Sequence, residues 1–169
     1  MKKILCLLLA GFSFVTPARA NQTLTYNQIV YIARPADVVW SALTQKPMVD
    51  RYYLAPLQDA PLQEGTQIYY GTLENKMIYG EVLKLEAPTR FSHSFIFSDR
   101  PSKKSIVTYD IEPMGTMSML QVRHEFTDDN AGYADVAGGW PVILSGLKTL
   151  LETGKELPWP APESETKEK

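Results

Sequence analysis

The sequence predicts an α+β fold, one antiparallel sheet backed by a long C-terminal helix, and three observations carry that prediction. From Gln67 to Phe126 the chain is a series of segments in which apolar and polar residues alternate with period two, separated by short breaks containing Pro, Gly or Asn. From Trp140 to Gly154 the apolar residues recur instead at three and four, the spacing of one helix face. Ahead of the sheet, one strand-like run is followed by two short helix-like segments.

Leu24 to Ile32 is rich in β-branched and aromatic residues, which suit a pleated, half-buried surface, and reads as the first strand. Arg34-Pro35-Ala36-Asp37 breaks it. Pro35 fits the first turn of a helix, where a missing N–H leaves no bond unmade, and Val38, Val39, Trp40, Ala42 and Leu43 follow at helical spacing before Pro47. A second short helix is expected from Pro47 to about Tyr53. Pro56, Pro61 and Gly65 make Leu54 to Gly65 a loop. Gln67 to Thr72 and Lys76 to Leu85 flank Leu73-Glu74-Asn75 as a hairpin.

In Arg90 to Phe97, Phe91, His93, Phe95 and Phe97 share one face while Ser92 and Ser94 take the other. Lys104 to Glu112 and Thr116 to Phe126 form a second hairpin through Pro113-Met114-Gly115. The last of these strands sets Leu120, Val122, His124 and Phe126 against Gln121, Arg123 and Glu125. Asp128-Asp129-Asn130 with Gly132, Gly138 and Gly139 predicts a further break, so the long helix is expected to begin near Trp140 and Pro141. Its stripe is Trp140, Ile143, Leu144, Leu147, Leu150 and Leu151, and Gly154 is placed to end it in a left-handed cap. Pro158 to Lys169 combines three prolines with a run of charges and has nothing to bury, which predicts a disordered tail.

The first twenty residues are expected to be a cleaved signal peptide. Lys2 and Lys3 precede an apolar run from Ile4 to Val15, and Ala18-Arg19-Ala20 puts small residues at the two positions that specify cleavage. The run is well short of the ~20 residues that cross a bilayer, so no stable membrane anchor is expected. Cys6, the one cysteine, lies inside it, without the small residues ahead of it that a lipoprotein signal has. After cleavage near Ala20 the chain has 149 residues, 169 less 20, and enters the periplasm or the medium with neither a disulfide nor a thiolate metal site. One domain over residues 21–157 suits that length. Lys2, Lys3 and Arg19 leave with the leader, so 17 basic residues fall to 14 against 19 acidic ones, a formal charge of −5. A mildly acidic chain without a basic run argues against nucleic acid as a partner, because that binding rests largely on lysine and arginine neutralising phosphates.

Two segments resemble a known superfamily: Ile32-Ala33-Arg34-Pro35-Ala36-Asp37-Val38-Val39-Trp40-Ser41-Ala42-Leu43-Thr44 near the front, and Gly139-Trp140-Pro141-Val142-Ile143-Leu144-Ser145-Gly146-Leu147-Lys148-Thr149-Leu150-Leu151-Glu152-Thr153-Gly154 at the back. These are similar to the signature segments of the START-like (SRPBCC) proteins, and within them of the branch named after the activator of a heat-shock chaperone's ATPase. His124 sits where many members of that branch carry a histidine. The similarity covers about Ile29 to Glu156. It implies the helix-grip fold: a curved antiparallel sheet wrapped around the long C-terminal helix, two short helices after the first strand, and a cavity between sheet and helix. A strongly bent sheet does not close on one helix at native density everywhere, which is why such a gap tends to hold a guest. The superfamily includes lipid carriers, hormone receptors and aromatic cyclases, so the resemblance speaks to fold before function.

On that fold the space is expected to be lined by Tyr79, His93, Phe95, Phe97, Tyr109, Leu120, His124, Trp140, Leu144 and Leu147, with Tyr52 and Tyr53 at its entrance. Aromatic rings with polar tips bury area while an O–H or N–H orients the guest. The plainer expectation for each of them is a place in the core. His93 and His124 are the weak candidates for acid–base catalysis, against the commoner role of a buried, hydrogen-bonded histidine. No metal or other cofactor is implied. The histidines are thirty-one positions apart, Glu125 alternates away from His124, and Asp128-Asp129-Asn130 lacks the ligand spacing of a calcium loop. No nucleophile elbow, phosphate-cradling glycine loop or zinc-protease helix motif is present.

The expected function is therefore an exported binding protein for a small apolar molecule, a lipid or an aromatic metabolite. The alternatives are a cyclase-like enzyme using the cavity histidines and a protein-interaction domain with a filled core. The chaperone-activating role in the branch's name does not carry over, since its partner is cytosolic and ATP-driven while this chain is routed outward.

Overall fold

Strand β1 (Thr23–Ile32) opens the chain's described part and is followed by helices α1 (Ala36–Thr44) and α2 (Lys46–Val49). Five strands come next: β2 (Gln67–Gly71), β3 (Lys76–Glu86), β4 (Arg90–Phe97), β5 (Lys104–Met114) and β6 (Met117–Thr127). Helix α3 (Asn130–Thr153) closes the sequence of elements. The structure is a computed structural model that describes residues 23–101, 103–127 and 130–159. The expected leader, Asp128-Asp129 of the expected break, and the tail beyond Trp159 lie outside the described residues.

The strands form one antiparallel sheet in the order β1-β6-β5-β4-β3-β2, curved around α3. Its concave face carries the apolar residues that the alternation placed together. Leu120, Val122 and Phe126 of β6 are buried there, as are Val107, Tyr109 and Ile111 of β5 and Phe91 and Phe95 of β4. The helix contributes Trp140, Ile143, Leu144, Leu147, Leu150 and Leu151, all buried, so the predicted stripe is the face that meets the sheet. Gly154 adopts φ +75° and its N–H donates to the Leu150 carbonyl at 2.8 Å, closing the helix in the left-handed cap that only glycine adopts without a Cβ penalty.

Three expectations are corrected. The second helix ends at Val49 rather than near Tyr53. Asp50 terminates it by turning its carboxylate outward, to accept the Leu57 N–H at 2.9 Å and pair with the Lys46 ammonium at 2.9 Å, which draws the following loop back onto α2. Helix α3 begins at Asn130, ten residues before Trp140, and runs through Gly132, Gly138, Gly139 and Pro141. Glycine costs a helix about 1 kcal/mol each, but Val136 is buried and Tyr133 packs on the core. Residues 133, 136, 140 and 144 thus extend the same stripe, and their burial outweighs local propensity. Lastly, Ser92 and Ser94 are buried although they lie on the outer side of β4. Gly80 on β3 allows this: a Cβ at that position would lie 1.8 Å from the Ser94 carbonyl oxygen, so only glycine permits the strands to approach so closely. The Ser94 hydroxyl accepts the Glu81 N–H at 2.9 Å, just ahead of a bulge between Val82 and Lys84.

Candidate functional site

The two histidines face the same interior from strands that are not neighbours. His93 of β4 pairs with Val107 of β5, and Val107 pairs with His124 of β6, so one strand stands between the imidazoles. Both are fully buried. Trp140 descends from α3 onto this floor, its ring 6.1 Å from His124, 5.8 Å from Tyr109 and 6.3 Å from Tyr53.

Hydrogen bonding sets the tautomer of each ring. The Trp140 indole N–H, which can only donate, lies 3.2 Å from His124 Nδ1, so Nδ1 is an acceptor and the ring proton sits on Nε2. Nε2–H then donates to Ser105 Oγ at 2.8 Å, and the Ser105 hydroxyl donates to the Phe95 carbonyl at 3.0 Å. This chain of bonds has the composition of a serine–histidine dyad with the opposite polarity. The imidazole holds a proton toward the serine instead of accepting one, so Ser105 is not activated as a nucleophile. His93 Nδ1 lies 2.9 Å from the Ser94 carbonyl, an acceptor, so the proton is on Nδ1, and Nε2 takes a long contact of 3.4 Å from the Tyr70 hydroxyl.

Burial is the main cause that pushes His93 down to about 4 and His124 to about 3; the His93 ring adds to the effect at His124. Both imidazoles are neutral near pH 7, and bases that weak are poorly matched to proton transfer there. Burial likewise holds the Tyr52, Tyr70 and Tyr109 hydroxyls well above their ordinary range, so they serve as neutral hydrogen-bonding groups. Among the described residues, no three His, Cys, Asp or Glu side chains come together as a metal site.

Between sheet and helix remains a pocket of about 40 Å³, bounded by Tyr53, Leu54, Phe95 and Phe97 on one side and by Asp135, Val136, Gly139, Trp140 and Ile143 on the other. Ligand pockets begin at roughly 300 Å³, so among the described residues the expected cavity is corrected to a small gap. Tyrosine, histidine and tryptophan side chains fill the space that the curved sheet leaves. Among the described residues, three larger depressions, of about 490, 330 and 400 Å³, lie elsewhere and contain none of the expected lining residues.

Of those residues, Tyr53, Phe95, Phe97 and Trp140 border the pocket. His93, Tyr109, Leu120, His124, Leu144 and Leu147 are packed in the surrounding core. Tyr52 is buried rather than at an entrance: its hydroxyl donates to the Ala42 carbonyl at 3.0 Å and its Cβ lies against Gly146, which wedges it between α1 and α3. Tyr79 is placed on the opposite face of the sheet. Ile78, paired with Phe97, takes the inner position, and Tyr79 is half-buried beside Ile96 and Tyr69. Leu54, Asp135, Val136, Gly139 and Ile143 were not expected at the pocket. Three of them, Asp135, Val136 and Gly139, lie just ahead of Trp140, where the sequence predicts a break, although the spacing of Tyr133, Val136 and Trp140 carries the signal.

At the rim, Arg100 pairs with Asp135 of α3 and lies 4.8 Å over the Phe97 ring, so an exposed ion pair ties the β4–β5 connection to the first half of the helix.

Residues 33–152 match the family described as Activator of Hsp90 ATPase homolog 1-like protein. Among solved structures, DynU16, a protein in the dynemicin biosynthetic locus, superimposes with a TM-score of 0.67 at 22% identity, over 78% of this chain and 48% of that one. This chain thus spans about half the length of DynU16. CalU16 from Micromonospora echinospora gives a TM-score of 0.64 at 20% identity, over 80% of this chain and 88% of that one. The Aha1 dimer from Colwellia psychrerythraea gives 0.65 at 17% identity, over 78% and 98%. At these identities the likeness is one of fold. No curated protein sequence matches the chain.

Proposed function

The chain belongs to the Activator of Hsp90 ATPase homolog 1-like family, with its START-like helix-grip fold, and from that premise we propose that it is an exported protein which binds a small, largely apolar molecule between the sheet and α3. Export is supported by Lys2-Lys3, the apolar run Ile4 to Val15 and Ala18-Arg19-Ala20. A fold that commonly holds small hydrophobic ligands supports the choice of guest. In the exported setting an ATP-driven cytosolic machine is out of reach, so the family's named activity is not part of the proposal.

One observation carries the ligand reading. The helix wall of the small pocket is the stretch of α3 that contains Gly138, Gly139 and Pro141. Pro141 has no N–H to donate to the carbonyl four residues back, and the two glycines add backbone freedom. The first half of α3 is thereby loosely coupled to the second, and the exposed Arg100–Asp135 pair holding it down is worth about 1 kcal/mol or less. Outward movement of residues 130–139 widens the gap from a space for about one water to one for a guest.

Stiffening the helix tests this. A Cβ at Gly138 or Gly139 would meet nothing, so the double variant Gly138→Ala, Gly139→Ala is expected to raise stability by about 1–2 kcal/mol. It should also slow the uptake of a bound species, measured by stopped-flow fluorescence. Native mass spectrometry of protein purified from the periplasm supplies the primary test. An apolar species that travels with the protein supports the proposal; repeated recovery of empty protein overturns it. The small volume of the gap favours a second reading in that event, a filled-core domain that acts through its surface.

A further inference from the structure

We infer that the guest of this pocket is a neutral molecule bearing a hydrogen-bond acceptor, a ketone or ester oxygen, which the Tyr53 hydroxyl engages. This rests on the reading that the gap between sheet and α3 receives an apolar ligand. Tyr53 is 6% exposed, borders the pocket, and has a buried hydroxyl without a hydrogen-bond partner among the described residues. Burial raises the Tyr53 pKa and the Tyr109 hydroxyl, a hydrogen-bonding neighbour, lowers it, but the pair falls short of the length and angle of a full hydrogen bond.

The neighbouring polar tips differ. Tyr52 donates to the Ala42 carbonyl, Tyr70 approaches His93 Nε2, and the Trp140 N–H is taken by His124. Tyr53 alone of these four borders the pocket with a buried donor that makes no well-formed hydrogen bond among the described residues. Buried polar groups are almost always paired, and one left unpaired is unfavourable until an acceptor arrives.

Charge narrows the class. No lysine or arginine is among the described residues that line the pocket, and at its rim Arg100 and Asp135 are already paired with each other. A carboxylate or phosphate guest would be buried with no uncommitted cation to meet it, next to an acidic side chain. A pure hydrocarbon would leave the Tyr53 hydroxyl as it is. A neutral carbonyl oxygen on an apolar or aromatic body satisfies the donor and requires no counter-charge.

Acetophenone and isopropylbenzene separate these cases, because they differ by one oxygen in place of one methyl group; benzoate supplies the charged member. Binding of each to the full-length protein and to Tyr53→Phe, followed by NMR titration, reads the inference directly. Tyr53→Phe is expected to weaken acetophenone about tenfold and to change isopropylbenzene by less than about twofold, with benzoate bound by neither protein. Without ligand, the same variant is expected to melt about 2–4 °C higher, as an unpaired hydroxyl leaves the core. If Tyr53→Phe weakens both neutral probes equally or neither, or if it melts lower, the acceptor assignment is overturned while the pocket stands. Tightest binding of benzoate overturns it as well. If none of the three shifts residues around Tyr53, Phe95 and Trp140 in the wild-type protein, the pocket reading itself falls, and this inference with it.

Discussion

Trp140→Ala is expected to destabilise the protein by about 4 kcal/mol, within the range for removing a large buried aromatic side chain. Two losses combine. The indole sits 2% exposed where α3 crosses β5 and β6, with rings of Tyr53, Tyr109 and His124 within 6.3 Å of its own, so truncation opens a cavity that several side chains border. It also removes the N–H that fixes the His124 tautomer and leaves Nδ1 as an unpaired acceptor in the core. Trp140→Phe separates the contributions. It restores much of the volume and none of the donor, and is expected to cost about 2 kcal/mol. Urea unfolding of the three proteins measures both; a loss below about 1 kcal/mol for Trp140→Ala would mean that α3 does not rest on the sheet through this residue.

Acid is expected to destabilise the protein almost as strongly. In the fold, burial depresses His93 to about 4 and His124 to about 3, whereas the unfolded chain binds these protons near pH 6.5. Above pH 6.5 neither state is protonated and nothing is lost. As the pH falls below that value, the unfolded state takes up protons that the native state refuses, so stability declines, and it continues to decline until the native pKa values are reached. At pH 5 each histidine accounts for about 2 kcal/mol, or about 4 kcal/mol for the pair. Urea unfolding at pH 7 and pH 5 tests this, with His93→Gln as a variant expected to show about half the wild-type slope. A flat profile between those pH values would mean that the imidazoles are protonated in the native state.

Both predictions concern a cluster whose residue types were legible in the sequence and whose function was not. Alternation along β4 and β6 is enough to put His93, Phe95 and His124 on an inward face, because a strand turns every second side chain the same way. It does not reveal that β5 separates the two histidines, since strand order depends on pairings between distant segments. Tyr79 shows the limit within one strand. Met77, Ile78 and Tyr79 are all apolar or amphipathic, so the period is ambiguous there, and the pairing of Ile78 with Phe97 decides which side chain faces inward. The early start of α3 was hidden for another reason. Glycines and Pro141 argue locally against a helix, and only contact of Tyr133 and Val136 with the core outweighs them.

What the sequence determined by itself is the kind and order of the elements and the face that each one buries, because those follow from periodicities carried within single segments. The tertiary structure alone decided that, among the described residues, only a small gap remains beneath α3, that His124 presents a proton to Ser105, and that the Tyr53 donor makes no well-formed hydrogen bond. Each of these depends on the summed volume and the hydrogen-bond geometry of side chains tens of residues apart, and no local pattern encodes such a sum.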